Sequence, residues 1–455
     1  MTQETYPLLP QADTRSTIAW YNGIAVSQQQ FLQQAKQLAQ RLPQNSYAIN
    51  LCEDRYHFLL VFAAMLLRGK ISLLPGNRSV SELQSISSRH DDCPCIVDKW
   101  QADLSVEQYV VEPEQLVGEV SGEIPALPAA QICAVVFTSG STGQSVAWEK
   151  TWGELYRGAK LTRQMLALDG ERPHSVVATV PPQHMYGLET SIILPLVTGM
   201  SVYSGRPFFP PALQHALHSL PEPRIMITTP VHLRACIESG IDWPAIDRIV
   251  SATAPLPQML AQRAEQVFDC TLQEIYGSTE TGAVATRRTS AESSWTLHQG
   301  VQIQASASDE DSFNVSGGHL PRPMPLHDRI RLEGKVGFTL LGRNSDMVKI
   351  AGKRVSLGDL NHKLLAIPGV QDGVFIETLA DERQAVSRLC ALVVAPALSQ
   401  RDILEALRMQ IDPVCLPRPL YQVPQLPRTE AGKLPRKAIL EMLAQLGSEE
   451  LSANL

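Results

Sequence analysis

The chain has 455 residues, of which 44% are apolar and 19% charged, and a formal net charge of −7. That length allows two or three domains with substantial cores, no apolar run reaches the ~18 residues of a membrane span, and the acidic balance argues against a nucleic-acid surface. The opening Met1-Thr2-Gln3-Glu4 has neither a basic nor an apolar leader segment, so a cytoplasmic protein is expected, and the eight scattered cysteines read as core or surface thiols, because Cys93 and Cys95 lack a second pair to complete a zinc site.

In chain order, Thr17 to Gly23 reads as hairpin-like, Ser27 to Leu42 and Arg55 to Arg68 as helices, and Lys70 to Leu74 as a strand closed by Pro75-Gly76-Asn77. Such alternation predicts parallel sheets covered by helices. Further on, an apolar strand through Val136-Phe137 empties into Thr138-Ser139-Gly140-Ser141-Thr142-Gly143. Residues this small let backbone N–H groups and hydroxyls wrap a phosphate, and glycine permits close approach. A flexible Ser/Gly linker is the plainer reading, but the preceding strand favours a nucleotide loop. It is not a GxxxxGK[ST] loop, since no lysine follows at that spacing. A second loop, Tyr276-Gly277-Ser278-Thr279-Glu280, follows Leu272-Gln273-Glu274-Ile275. From residue 346 onward Lys plus Arg and Asp plus Glu each number 13, so the whole −7 falls on residues 1–345 and a boundary is predicted there.

In this order the two loops resemble the TSGSTG and YGSTE loops of the AMP-forming adenylating superfamily, which includes acyl-CoA synthetases, aryl-acid ligases, nonribosomal-peptide adenylation domains and luciferases. Four more segments are similar to that family's motifs. Pro181-Pro182-Gln183-His184-Met185-Tyr186-Gly187 matches its P-x-x-H-x-x-G acid-pocket segment, and Ser251-Ala252-Thr253-Ala254-Pro255-Leu256 its SGAAPL turn. Residues 341–355 match the hinge segment GRxxDxxKxxGxRV, and residues 427–436 the C-terminal PKTxxGKxxR motif. Two departures stand out. Val146 occupies the place of the usual phosphate-loop lysine, and the nearest lysine, Lys150, either reaches back to the β- or γ-phosphate or is a solvated residue ahead of a helix. The stretch between Gly282 and Leu326 lacks the GExxxxG segment and looks trimmed; it holds the polar run from Ser306 to Asp311, with Trp295 and the strand Gly300 to Ile303 as a compact equivalent.

The resemblance implies a large N-terminal α/β core of stacked, helix-covered sheets (residues 1–345) and a small mobile α+β C-terminal lid (346–455). It implies that ATP and a carboxylic acid form an acyl-adenylate with release of pyrophosphate, after which a phosphopantetheine thiol, carried by an acyl carrier protein or by CoA, takes the acyl group. The nucleotide would be held by Thr138, Ser139, Gly140, Ser141, Thr142, Gly143, Tyr276, Gly277 and Ser278, with Asp328 and Arg343 at the ribose. Thr279 would donate to the α-phosphate and Glu280 would bind Mg²⁺, a hard cation that prefers oxygen ligands. Lys433 would bridge carboxylate, ribose and α-phosphate as a mobile point charge. Asp346 would be the pivot, with Lys349 and Gly352 lining the thiol channel. His184, Gly187, Ala252 and Ala254 would line the acid pocket.

No aspartate aligns where amino-acid-activating members hold an α-amine, which favours an aryl or acyl acid. The short chain and the modified phosphate loop suggest the compact carrier-protein-loading ligases of aryl-polyene-type clusters. An enzyme stopping at the adenylate or closing it to another product, and a degenerate nucleotide-binding protein, remain as alternatives; retained Glu280, Asp328 and Lys433 weigh against the last. For a carrier protein, Arg401, Arg408, Arg428, Arg436 and Lys437 are the expected docking cations on the neutral lid. Neither nucleic acid nor stable membrane insertion is expected.

Overall fold

The computed structural model describes residues 4–10, 15–116, 123–139, 145–170, 172–306, 309–343, 347–350, 353–379, 387–429, 432 and 434–453. One sheet has the strand order Ser145–Thr151, Ile132–Ser139, Ile71–Leu74, Tyr47–Asn50, Cys95–Val97, Gln108–Val110. Its pairs are parallel except for the hairpin that joins Ile132–Ser139 to Ser145–Thr151. A second sheet of eleven strands has at its centre Thr271–Ser278, Arg248–Ser251, Arg224–Thr228 and Ser175–Ala178, side by side and parallel. Antiparallel strands, among them Asp328–Glu333 and Gly337–Arg343, extend it beyond Thr271–Ser278.

The helix Arg55–Leu67 is apolar on every face and buried along nearly its whole length, packing into the largest core beside Phe31, Trp152, Leu188 and Ile192. A helix without a polar face belongs between layers, and Asp54 starts it by accepting from the backbone N–H groups of Tyr56 and His57. The helix Trp152–Met165 begins at a reciprocal cap between Thr151 and Glu154. At the C-terminal end, Leu357–Leu365 and Gln400–Arg408 pack with the sheet formed by Asp372–Leu379, Ser387–Val394 and Leu420–Gln422. This unit encloses its own core of Val348, Leu364, Phe375, Ala391, Ile403 and Leu420.

The expected α/β class is therefore present, with a separately cored α+β unit at the C-terminal end. The region that reads as trimmed contains the paired strands Val301–Ser306 and Asp309–Gly317. Among the described residues no helix is long and apolar enough to cross a membrane, and no group of three potential ligands could hold a metal ion unaided. All eight cysteines are free thiols, and only Cys270 is not fully buried.

Candidate active site

The four central parallel strands end on the same side, the side on which open α/β sheets bind their ligands. Ser175–Ala178 runs on to His184, Arg224–Thr228 to Thr229, Arg248–Ser251 to the Ala252–Ala254 turn, and Thr271–Ser278 to Thr279 and Glu280. Parallel crossovers thus bring motifs nearly a hundred residues apart to one rim. The other sheet contributes the hairpin of the expected nucleotide loop, in which Thr138 faces Val146 and Ser139 faces Ser145 across the ladder. Gly140, Ser141, Thr142 and Gly143, at its tip, lie outside the described residues.

The Tyr276–Glu280 loop is shaped by its own small residues. A Cβ on Gly277 would sit 2.1 Å from the Gly282 carbonyl oxygen, so only glycine lets the two chains close. Ser278 N–H donates to Thr281 Oγ1 (3.1 Å), and Thr281 N–H donates back to Ser278 Oγ (3.3 Å). Thr279 and Glu280 are held at the tip of this turn, both half-buried. Among the described residues the Glu280 carboxylate has no hydrogen-bond or ion-pair partner; it is an uncommitted hard-oxygen donor, which fits a Mg²⁺ that takes one protein carboxylate and otherwise phosphate and water.

Tyr276 provides a link that the motif alone does not reveal. Its hydroxyl donates to Asp328 Oδ2 at 2.6 Å, while its ring packs against Trp295 and Phe338 with centroids 5.4 and 5.3 Å away. Asp328 lies opposite Arg343 in the antiparallel ladder, so the two expected ribose-side residues are cross-strand neighbours.

Lys150 follows neither reading suggested by the sequence. It lies on the Ser145–Thr151 strand and is 3% exposed, so it is not a solvated residue ahead of a helix. Nor does its ammonium point to a phosphate: it donates to the Glu280 carbonyl oxygen at 2.7 Å and lies 3.7 Å from Glu154 Oε1. Val146, at the usual lysine position, is 45% exposed. Two more groups hold the chain just past Glu280. His319 Nε2 lies 2.7 Å from the Thr281 carbonyl, which makes it the protonated nitrogen, and Glu189 Oε1 accepts from Ala283 N–H at 3.2 Å. Burial lowers the His319 pKa. Burial raises Glu189 to about 7 against the opposing charge of Lys150.

At the expected acid pocket, His184 stands at the N-terminal boundary of the short helix Met185–Leu188 without a side-chain cap bond, and Gly187 approaches the chain so closely that a Cβ there would lie 2.0 Å from the Pro181 carbonyl oxygen. Tyr186 Oη donates to the Val250 carbonyl at 2.8 Å, tying this helix to the strand that leads to Ala252. Thr253, between Ala252 and Ala254, has φ +79, a strained conformation for a β-branched residue. Gly432 of the C-terminal unit reaches this turn: a Cβ on it would lie 3.5 Å from Thr253 Oγ1 and 3.6 Å from Thr229 Oγ1. Its neighbour Lys433 lies outside the described residues, as do Asp346 and Gly352; Lys349 is on the strand Met347–Ile350. A cleft of about 270 Å³ between the two units is lined by Pro230, Arg234 and Ala254 on one side and Asp372, Leu426 and Arg428 on the other.

One expected docking cation is committed elsewhere. Arg428 makes a forked pair with Asp372, at 2.7 and 2.6 Å, and donates to the Gly432 carbonyl at 2.8 Å. Only 18% of its side chain is exposed, so it braces the turn before Lys433 and is not available as a docking residue. Arg401 and Lys437, at 85% and 90% exposure, and the exposed Arg408 and Arg436 remain at the surface.

Residues 13–307 match the family described as "AMP-binding enzyme". The chain belongs to that family. It is 31% identical to a 4-coumarate–CoA ligase of Rhodobacter capsulatus over 337 residues, covering 72% of this chain and 83% of that protein. The fold is shared with o-succinylbenzoate CoA synthetase (MenE) from Bacillus subtilis, solved with its acyl-adenylate (TM-score 0.79, 18% identity, 95% of this chain and 98% of that one). It is shared too with ATP-bound MatB from Rhodopseudomonas palustris (TM-score 0.81, 16% identity, 95% and 96%). MenE has also been solved with ATP and magnesium. The recognised superfamily is thus the right one, and its chemistry is acid adenylation. The sequence offers Lys150 only as a phosphate ligand or a solvated residue, and does not single out Glu189 or His319. The only local hint was the i,i+4 spacing of Lys150 and Glu154, a surface-pair pattern as often as a buried one.

Proposed function

We propose that the chain activates an aryl or acyl acid with ATP and delivers the acyl group to the phosphopantetheine thiol of an acyl carrier protein. A carboxylate oxygen attacks the α-phosphorus as its bond to the bridging oxygen breaks, and pyrophosphate leaves. The thiolate sulfur then attacks the acyl carbon, the bond from that carbon to the phosphate-linked oxygen breaks, and AMP leaves. The reading rests on one observation above all: the Tyr276–Glu280 loop with its Asp328 link, the His184 helix and the Ala252–Ala254 turn share a rim that Gly432 closes from the C-terminal unit.

In this reading Asp328 accepts from the ribose hydroxyls with Arg343 beside it, and Thr279 donates to the α-phosphate. Glu280 would hold Mg²⁺, which would supply positive charge against that of the phosphates. Lys433 places a cation where charge develops in the first transition state. Residues 346–455 then swing about Asp346, turning Lys349 and Gly352 toward the thiol, so that one site runs two reactions in turn. Small side chains at Ala252 and Ala254 leave room for a ring or chain.

For the acceptor, charge is the argument. Carrier proteins are generally acidic, the net −7 lies on residues 1–345, and the C-terminal residues are neutral with exposed Arg401, Arg408, Arg436 and Lys437. Free CoA is the second reading, favoured by the CoA ligases among the relatives. Pyrophosphate release over a panel of aryl, fatty and amino acids identifies the acid. Thioester formation with the doubly reversed Arg408→Glu, Lys437→Glu variant then tests the acceptor: transfer to a carrier protein should slow, most at low salt, with pyrophosphate release unchanged. Efficient transfer to CoA, indifferent to the reversals, would refute the carrier.

A further inference from the structure

Lys150 is costly where it is. A buried ammonium loses its hydration, and the desolvation is offset only by good partners. Its partners here are the Glu280 carbonyl oxygen at 2.7 Å and the more distant Glu154 carboxylate at 3.7 Å. The shorter contact is therefore not to an acid but to the main chain of the residue whose carboxylate stands uncommitted at the loop tip. Glu154 is itself fixed: its Oε2 accepts from Thr151 N–H and Oγ1 at 2.9 Å, in the cap of the helix Trp152–Met165. That helix packs in the main core through Trp152, Leu155 and Ala159. A rigid path thus runs from the core through Glu154 and Lys150 to the backbone of Glu280.

The next residues are held in the same way. His319 donates to the Thr281 carbonyl at 2.7 Å, and Glu189 receives the Ala283 N–H. Consecutive peptide groups of the turn are held by side chains from three separate stretches of the chain, Lys150, His319 and Glu189. The carboxylate of Glu280 and the hydroxyl of Thr279 take part in none of these contacts. Side chains that orient a metal ligand in this manner are worth about 10–100-fold in metal affinity or activity when removed.

We propose that Lys150, seconded by His319, is a positioning residue that sets the Glu280 carboxylate for Mg²⁺·ATP, in a chain whose phosphate loop carries Val146 where a lysine is usual. The proposal rests on Glu280 being the Mg²⁺ ligand, and its test separates the two claims. The test variant is Lys150→Met, which keeps the length of the stem and removes the donor. The readout is equilibrium binding without the acid substrate: calorimetric Kd for ATP at saturating Mg²⁺ and with chelator. The quantity compared is the gain in affinity that Mg²⁺ confers. Glu280→Gln should abolish most of that gain. Lys150→Met should reduce it about tenfold and leave ATP binding in chelator unchanged. The double variant should be no worse than Glu280→Gln alone, because both act through one group.

If Glu280→Gln keeps the full Mg²⁺ gain, Glu280 is not the ligand and the underlying reading fails. Should Glu280→Gln lose the gain while Lys150→Met keeps it, or the two losses simply multiply in the double variant, the positioning role is overturned and Lys150 is an ordinary structural residue. Where Lys150→Met does not accumulate as folded protein, His319→Leu is read by the same cycle, since it removes the adjoining anchor at Thr281 and leaves Lys150 in place. Loss of the Mg²⁺ gain that is non-additive with Glu280→Gln supports the proposal, and an unchanged or additive gain overturns it.

Discussion

Replacing Tyr276 by Phe removes one oxygen and tests how the ribose side of the site is held. The hydroxyl donates to Asp328 Oδ2 at 2.6 Å, a length typical of a hydrogen bond to a charged acceptor. Such bonds contribute about 1.5–3 kcal/mol when buried. Asp328 is half-exposed, so water recovers part of this, and about 1 kcal/mol of orientation should be lost. If Asp328 holds the ribose, that loss is roughly a fivefold weakening of ATP binding. The ring itself stays, packed between Trp295 and Phe338, so the core of the loop should survive and the melting temperature fall by no more than about 2 °C. Pyrophosphate release should therefore show KM for ATP raised about fivefold and KM for the acid unchanged, with the calorimetric Kd for ATP moving in parallel. Asp328→Asn should weaken ATP binding at least as much, and the double variant no further. An unaltered ATP affinity in a normally folded Tyr276→Phe protein would refute the reasoning. An equal rise in both KM values would also do so, since it would mean a loosened rim.

Lys433→Ala should lower adenylation by about two orders of magnitude or more, the scale of a lost transition-state charge contact, while thioester formation from supplied acyl-adenylate persists; equal loss in both assays would sink the two-posture scheme. Gly187→Ala must push a Cβ against the Pro181 carbonyl oxygen, so denaturant unfolding should show a loss of at least about 2 kcal/mol. Unchanged stability with an unchanged KM for the acid would show that the His184 helix yields at no cost. A third case turns on pH. Burial draws the His57 pKa down, but the Asp98 side chain at 2.9 Å together with the charges of Asp54 and Glu114 outweighs it and leaves the value raised. Stability from a raised histidine is complete below its ordinary value, about 6.5, and is lost as pH climbs through the folded value. The melting temperature should fall over that interval, and His57→Gln should flatten the fall; an identical pH profile in the variant would exclude His57 as the cause.

Much of the site was legible because its requirements are local. Gly277 and Gly187 sit where a Cβ would collide with the carbonyl oxygen of a residue five or six positions away, a backbone demand set close by in sequence. The alternation of helices and strands announced the α/β class for the same reason, since periodicity is a property of each segment. What the sequence could not settle was the destination of long polar side chains. Lys150 read as a phosphate ligand or a solvated charge, and Arg428 as a docking cation, because a lysine or arginine reaches six or seven ångströms and its partner is chosen by whatever the fold brings within that radius. Only the tertiary fold brings the Glu280 carbonyl, from one sheet, to Lys150 on the other, and only the packing of the C-terminal unit sets Asp372 beside Arg428. Tyr276 and Asp328, 52 residues apart, meet because antiparallel strands were added to the edge of a parallel sheet. Backbone conformation is written in neighbouring residues, whereas the burial and pairing of a charge depend on distant ones, and these the tertiary structure alone decides.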